Sequence, residues 1–596
     1  MNTIGITFDA NSSASAMSNG KLIAAISEER FNKIKNYVGY PKESVEFCLE
    51  ALGGKVDKVL VPSVEADPIL VLSHWTRRDV SERMEEQYKY WYPKIYEGKD
   101  LNYAEVFPES IDLDQYPGRE FWEQIDLTAS KEDRIKKFQE LRKQLIAEHL
   151  SIPESSIVFV EHHLCHSMYA YYGSPIRNEP TLCFTADGFG DYHCATLRLI
   201  DEHGVSKTLL ETDQALLGRL YRFTTLNLKM KPLEDEYKVM GLAPYASEYH
   251  WQHPYNIFRE YMDVEGINFV VKNKPKDFFF DFGKKLNNFR FDAIAGGLQK
   301  YTEEMLVKWV TNAIEITGVR NVVFSGGVSM NVKAMLEISK IPTLEKLFVP
   351  PSGADESLCV GACYYEASQH MPSADITPVD DGYLGDSYTQ EEIDNYLSDN
   401  KISDVYDIIE ECPPNQVAEL LDDGCVVSLF LGRMEFGARA LGARSIVADP
   451  RSPDTIKRIN RKIKNRDFWM PFAPVVLDER FDDYFYNEKN LHSPYMTIGF
   501  ETKTLAQDHL KAAIHPADLS GRPQRLVRDR NPRYYDIIKS FEQRTGVGGL
   551  LNTSFNLHGL PIAMTPKDAF HVFDNSGLDA MLLEGTLVVK KGVLKK

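Results

Sequence analysis

At 596 residues, with 87 acidic against 68 basic side chains and a net charge of −19 at pH 7, the chain is too long for one domain of ordinary size. That charge opposes general attraction to nucleic acid or an anionic membrane surface. The 8 cysteines form no Cys-x-x-Cys pair and several fall inside apolar runs, which argues against a disulfide framework or a zinc ribbon and for reduced, buried thiols.

Met1 to Asp9 goes straight into a strand pattern with no basic and apolar leader, and no apolar run reaches membrane-spanning length, so a cytoplasmic protein is expected. Thr3 to Phe8 reads as a buried strand, and Ser15 to Met17, Asn19-Gly20 and Lys21 to Ser27 as a hairpin. Residues 64–135 are rich in Trp, Tyr, Glu and Arg without strand alternation, which predicts a mostly helical insertion. It would cap a lobe, shape an acceptor pocket or cover a homodimer surface.

The apolar run Ser156 to Val160 leads into Glu161-His162-His163-Leu164-Cys165-His166. On a helix, His162 and His166 share one face within reach of one ion, although such a pair is also common as a solvated or satisfied face. Further ligands must come from elsewhere, and Asp187 and Asp355 stand at predicted element ends, where sites are usually built. Thr181 to Asp187, then Gly-Phe-Gly-Asp and Tyr192 to Ile200, repeats the plan of the first hairpin: strand ending in Asp, small-residue turn, returning strand. Such duplication suggests a two-lobed ATPase of the actin, sugar kinase and heat-shock type.

Leu216 to Tyr245 holds a helix ending at Gly241 or Pro244, and Asp292 to Ile316 a long amphipathic one. Asn321 to Phe324 is a strand, Ser325-Gly326-Gly327-Val328 a turn, and Ser329 to Ile338 a helix carrying Asn331. Glycines there let backbone approach a nucleotide, although a glycine pair after a strand is common. Periodicity fades after Gln369, so the expected domains are 1–372 and 381–596.

In the second domain a strand from Cys425 to Leu431 precedes a loop from Gly432 to Ser445 bearing Arg433, Arg439 and Arg444, planar forks suited to phosphate oxygens. Lys462, Lys464 and Arg466 follow, then Arg522, Arg525 and Arg528; most of the lysines from 457 to 464 read equally well as a polar helix face. A strand into Asn552, Thr553, Ser554, Asn556 and His558 gathers short donors and acceptors, which also simply make turns.

Taken together, Glu28-Glu-Arg-Phe with Lys35, His162-x-x-x-His166, Asp187-Gly, Glu236-Tyr-Lys-Val-Met-Gly-Leu-Ala-Pro-Tyr, Ser325-Gly-Gly-Val with Asn331, Glu435-Phe-Gly-Ala-Arg-Ala-Leu-Gly-Ala-Arg-Ser, Pro471-Phe-Ala-Pro and Asn552-Thr-Ser-Phe-Asn resemble the NodU/CmcH/TobZ family of ATP-dependent O-carbamoyltransferases. The resemblance implies an α/β fold: a two-lobed actin/sugar-kinase-like ATPase domain, then a YrdC-like α+β domain. It implies that carbamoyl phosphate yields carbamate in the second domain, that ATP converts this to carbamoyl-adenylate, and that a hydroxyl of a small natural product takes the carbamoyl group.

Carried over, His162, His166, Asp187 and Asp355 would hold a divalent metal, iron by resemblance, with zinc, manganese or magnesium as alternatives and magnesium suiting the donors least. Gly188, Gly326, Gly327 and Asn331 would line the nucleotide. Lys464 and Arg522 match positions that hold carbamoyl phosphate, with Arg439, Arg444, Arg466, Asn552, Ser554 and His558 expected around them. Lys35 looks like the family lysine of the first lobe. Two departures stand out: the first hairpin reads Asp9-Ala-Asn-Ser-Ser-Ala-Ser where a His-Asp-Ala-Ser pattern is usual, so that Asn11 or Ser12 takes the place of the histidine and Asp9 is the candidate base for the acceptor hydroxyl, and Met470 replaces an arginine before Pro-Phe-Ala-Pro, shifting some phosphate grip to Arg466 or Arg525. The rival readings are threonylcarbamoyl transfer to tRNA, which the acidic charge opposes, and an actin-like nucleotide switch without group transfer, which leaves the arginine-rich domain unexplained.

Overall fold

Strand β1 (Asn2–Thr7) is buried along almost its whole length, as its run of Ile and Thr predicts for a central strand. β2 (Ser13–Ser18) returns antiparallel to it and β3 (Lys21–Ser27) follows through Asn19 and Gly20, both at positive φ as a tight two-residue hairpin turn requires. β4 (Lys58–Pro62) and β5 (Ile157–Val160) add in parallel on the other side, giving the order β3-β2-β1-β4-β5. The computed structural model describes residues 1–8, 11–77, 79–111, 116–464 and 466–594.

The second sheet repeats this plan. β6 (Thr181–Gly190) is central, β7 (His193–Ile200) and β8 (Ser206–Thr212) form its antiparallel arm, and β11 (Asn321–Ser325) and β12 (Lys346–Phe348) its parallel arm, in the order β12-β11-β6-β7-β8. The small hairpin β9 (Met262–Glu265) and β10 (Asn268–Val271) lies apart from both sheets. The faint duplication of hairpins is thus a duplication of whole five-stranded sheets, the architecture expected of a two-lobed ATPase.

Helices fix these sheets to each other. The Leu358–His370 helix lies flush on β1 and on the His162–Tyr172 helix. A Cβ at Gly5 would stand 2.0 Å from the Cys359 carbonyl oxygen and one at Gly361 only 1.9 Å from that of Cys165, so both contacts are backbone against backbone. The predicted helical insertion contains the helices Pro68–Thr76, Val80–Glu86 and Arg119–Trp122 and runs into Lys131–Leu150. Many of its aromatics turn inward, Trp75, Tyr90, Tyr103, Phe107, Phe121 and Trp122 sharing one core with Ile4, Ile6 and Val59, while Tyr88, Tyr92, Tyr96 and Tyr116 stay exposed.

The chain divides into two compact units, Met1–Glu29 with Asn36–Val379, and Arg30–Lys35 with Asp380–Lys596. The second is built on an eight-stranded mixed sheet of β13 (Asp407–Ile409), β14 (Val427–Phe430), β15 (Arg444–Ala448), β16 (Ala473–Leu477), β17 (Gln524–Leu526), β18 (Gly549–Ser554), β19 (Ala580–Leu583) and β20 (Thr586–Val589), ordered β13-β20-β19-β14-β15-β18-β16-β17. Both units are mixed α/β.

One expectation is corrected here. Lys35 does not belong to the first lobe: the short excursion Arg30–Lys35 joins the second unit, where the Arg30 guanidinium donates to the Gly437 carbonyl at 3.2 Å and Lys33 pairs with Asp568. Acidic neighbours brace its ends. Glu29 accepts the Asn36 N–H at 2.7 Å, and Glu28 accepts the N–H groups of Glu43 at 3.2 Å and Ser44 at 2.8 Å, capping a helix that begins after Pro41. Among the described residues no helix is long and apolar enough to cross a membrane. All 8 cysteines are free; seven are buried, and burial pushes thiols such as Cys359 up to about 11.

Candidate active site

The His162–Tyr172 helix starts at Glu161, whose carboxylate accepts the N–H groups of His163 and Leu164 and so caps the first turn. This places His162 and His166 on one face. His162 Nε2 lies 3.6 Å from Asp355 Oδ1, while His166 Nε2 lies 3.5 Å from the same oxygen and 3.4 Å from Asp187 Oδ2. One donor atom from each of the four falls within 4.8 Å of every other. His163, between the pair in sequence, is a satisfied core histidine bonded to Thr185 Oγ1 at 2.8 Å and the His193 carbonyl at 3.0 Å.

These donors fit an ion. His162 Nε2, His166 Nε2 and Asp355 Oδ1 are buried and have no hydrogen-bond partner, because at 3.4–3.6 Å and their actual angles the contacts are electrostatic only. The opposite ring nitrogens face Ser63 Oγ and Ser325 Oγ, each at 3.4 Å, which leaves Nε2 of both rings toward the carboxylates. Burial lowers His166, but Asp187 and Asp355 more than offset this and bring the imidazolium up to about 9. Burial acts on Asp187 in the opposite sense, yet His166 and the Gly327 N–H hold its carboxyl well below the usual range.

The glycine turn after β11 meets the same carboxylate. Gly326 sits at φ +94°, and a Cβ there would stand 2.3 Å from the Ala186 carbonyl oxygen, so only glycine lets the turn close against β6. Asp187 Oδ2 accepts the Gly327 N–H at 2.7 Å, and Oδ1 accepts the Gly188 N–H at 2.6 Å. The helix expected from Ser329 begins instead at Val332, after a short 3-10 turn Gly327–Met330. Asn331 is its cap, accepting the Ala334 N–H at 3.0 Å, and is further fixed by Gln299 at 2.9 and 3.0 Å. Asn11, at φ 59°, lies beside the buried Glu356 carboxyl, which burial pushes up. Asp9 falls outside the described residues.

In the C-terminal unit a second cluster forms around Arg466. Burial, then Arg466 and Lys35, push buried Lys464 well down; burial, then Arg439 and Arg466, do the same to Arg522. Cations gathered this closely favour an anion among them. Lys464 donates to the carbonyls of Ser554 and Asn556 and to their side chains, which anchors it on the end of β18. Asn552 donates to the Ala440 carbonyl at 2.8 Å and keeps a buried Oδ1 without partner, and His558 is exposed nearby in sequence.

Three arginines of the sequence reading are held by the protein itself. Arg444 is fully buried, its guanidinium 3.6 Å from the Phe430 ring centre and its Nη1 donating to the carbonyls of Leu431, Gly432 and Ala443, so it braces the loop from inside. Arg433 is held by the Leu384 and Gly385 carbonyls, and Arg525 by Asp478 and Asn490. Their local partners, not their residue type, make the difference. Sequence reasoning missed Ser63 and Ser325, single serines whose importance lies only in facing a ring nitrogen.

A group of four candidate metal ligands and a cluster of cations are thus carried on separate units of a single chain. Comparison with known proteins assigns its kind. Residues 2–364 match the carbamoyltransferase N-terminus and residues 418–590 the carbamoyltransferase C-terminus, so the chain belongs to the carbamoyltransferase family and is a transferase. It is similar to an uncharacterized protein of Methanocaldococcus jannaschii, 34% identical over 72% of this chain and 73% of that one. It is also similar to nodulation protein NolNO of Sinorhizobium fredii, 27% identical over 98% of this chain and 79% of that one. Among solved structures, component A of Acidaminococcus fermentans (R)-2-hydroxyglutaryl-CoA dehydratase aligns over 63% of this chain and 99% of its own, with 13% identity and a TM-score of 0.32.

Proposed function

We propose that this carbamoyltransferase makes carbamoyl-adenylate from carbamoyl phosphate and ATP and passes the carbamoyl group to a hydroxyl of a small natural product. The observation that carries the reading is the pairing, in one chain, of a mixed histidine and carboxylate cluster with a group of cations crowded around Lys464 and Arg522. Each supplies what the other lacks.

In the C-terminal unit, Lys464, Arg466 and Arg522, with Lys35 and Arg439, would neutralise the phosphate dianion of carbamoyl phosphate while water attacks. The C–O bond to phosphate breaks, and carbamate and inorganic phosphate form. Ser554 and Asn556 hold the Lys464 ammonium in place, and the free Oδ1 of Asn552 can accept from the carbamoyl amide. His558 would add a further polar group to the same site.

Carbamate is a poor acylating agent, so its oxygen attacks the α-phosphorus of ATP and expels pyrophosphate, giving a mixed anhydride with a good leaving group. The backbone at Gly188, Gly326 and Gly327 would pass close to the nucleotide phosphates, with Asn331 fixing the helix start behind them. His162, His166, Asp187 and Asp355 would hold a divalent metal, which when bound offsets developing phosphate charge. Two imidazoles and two carboxylates suit iron, zinc or manganese better than magnesium. The acceptor hydroxyl then attacks the carbamoyl carbon, its proton passes to a base, with Asp9 and Asn11 as the candidates of the first hairpin, and AMP leaves.

The reaction would take place in the cytoplasm, where ATP and carbamoyl phosphate are made. A panel of hydroxylated small molecules incubated with enzyme, ATP, carbamoyl phosphate and metal tests the reading. One of them is expected to gain a carbamoyl group with one AMP released per product; transfer that proceeds equally without ATP would contradict it.

A further inference from the structure

Past the proposed metal ligand Asp187, β6 runs on to Gly190 and turns through Asp191 and Tyr192 into β7, and Gly190 and Asp191 reach the helix that bears His162. Asp191 is buried and sits at φ 49°, a left-handed conformation that few residues other than glycine, asparagine and aspartate adopt readily. Its carboxylate accepts three backbone N–H groups from two other segments: His162 at 2.8 Å, Val64 at 3.0 Å and Glu65 at 2.7 Å. Gly190 completes the contact, since a Cβ there would stand 2.1 Å from Cδ2 of the His162 ring.

The segment held by Asp191 bears on the same imidazole. Ser63, itself at φ 67°, points its hydroxyl at His162 Nδ1 from 3.4 Å, while its carbonyl takes a hydrogen bond from Arg142 at 3.3 Å. The His162 ring is therefore confined on one side by Gly190, at its backbone by Asp191, and at Nδ1 by a loop that Asp191 also holds. The His166 ring instead faces Ser325 at Nδ1 and Asp187 and Asp355 at Nε2.

We infer that Asp191 is a positioning residue for the metal centre: with Gly190 it clasps His162 so that Nε2 faces Asp355. The inference rests on the metal reading of the four-residue cluster. A first-turn N–H has no partner within its own helix, so a carboxylate that accepts it both satisfies the helix end and fixes the residue that carries the ligand. Groups that orient a ligand in this way commonly change metal affinity by about 10- to 100-fold when removed.

The test loads the full-length protein, stripped with a chelator, with cobalt(II) and follows the visible absorption of the bound ion. The native protein is expected to take up one cobalt; failure to do so overturns the metal reading itself. Asp191→Asn is expected to bind about 10- to 100-fold more weakly, with a changed absorption envelope, while thermal unfolding and phosphate binding by the C-terminal unit stay native. Gly190→Ala keeps all three carboxylate bonds and crowds only the ring, so it is expected to change the spectrum too. In turnover, Asp191→Asn should lower kcat without raising KM for carbamoyl phosphate. Native affinity and a native spectrum in either variant would overturn the clasp, as would a loss in Asp191→Asn that merely follows lost folding while Gly190→Ala binds cobalt normally.

Discussion

Asp187 accepts the Gly327 N–H at 2.7 Å through the same oxygen that lies 3.4 Å from His166 Nε2. A single carboxylate thus ties the glycine turn proposed to approach the nucleotide to the cluster proposed to hold the metal. Displacing either displaces the other, which gives the two sites a common geometric origin.

Removal of either imidazole separates the half-reactions. His162→Ala and His166→Ala are each expected to lower metal affinity by more than about 100-fold and to abolish carbamoyl-adenylate formation, while phosphate release from carbamoyl phosphate stays within about twofold of native. Metal titration and a phosphate assay on the same preparation check this. Loss of both activities together would point to one merged site.

The metal-free protein carries a pH signature. The His166 imidazole stands at about 9 when folded against about 6.5 when unfolded, so the stability it contributes is fully present below about pH 6.5 and is lost as pH rises to about 9. That loss is on the order of 3 kcal/mol. Chelator-treated protein should therefore unfold at lower denaturant concentration at pH 9 than at pH 6, and His166→Gln should flatten the slope. Metal binding should release about one proton per ion in the same window.

Much of this was legible in the chain. The His162 and His166 spacing, Asp187 after an apolar run, Asp355 just before a helical pattern and the repeated hairpin plan all lie in short local patterns, which is where sequence carries information most directly. What escaped was non-local. Arg444, Arg433 and Arg525 look like phosphate ligands by type, and only the packing of Phe430, the 384–385 backbone and Asp478 around them reveals braces. Lys35 reads as a first-lobe residue because its neighbours in sequence are, and the excursion Arg30–Lys35 becomes visible only in three dimensions.

Backbone contact between the ligand-bearing helix and its neighbour is a second point of sensitivity. Gly361→Ala would press a methyl to 1.9 Å from the Cys165 carbonyl oxygen, one residue before His166, with no flexible side chain able to yield. The expected cost is about 1–3 kcal/mol of stability, with weaker metal binding as the helices part. Thermal unfolding and metal titration of this variant check both effects.

The anion cradle answers to a different ligand. Lys464→Met and Arg522→Ala each remove a charged donor that contributes about 1.5–3 kcal/mol to binding, so kcat/KM for carbamoyl phosphate should fall about 10- to 100-fold while metal affinity stays native. Because burial, Arg466 and Lys35 depress the Lys464 ammonium, phosphate binding should also weaken with rising pH before the ordinary lysine range is reached. Lys464→Arg should push that decline to higher pH.

The central claim is that carbamate is activated by adenylation, and the most direct measurement withholds the acceptor. Enzyme, metal, ATP and carbamoyl phosphate are mixed, quenched and analysed for nucleotides by mass spectrometry. The account predicts carbamoyl-adenylate with one pyrophosphate for each; ADP and phosphate in place of pyrophosphate, or no nucleotide turnover with metal bound, would contradict it.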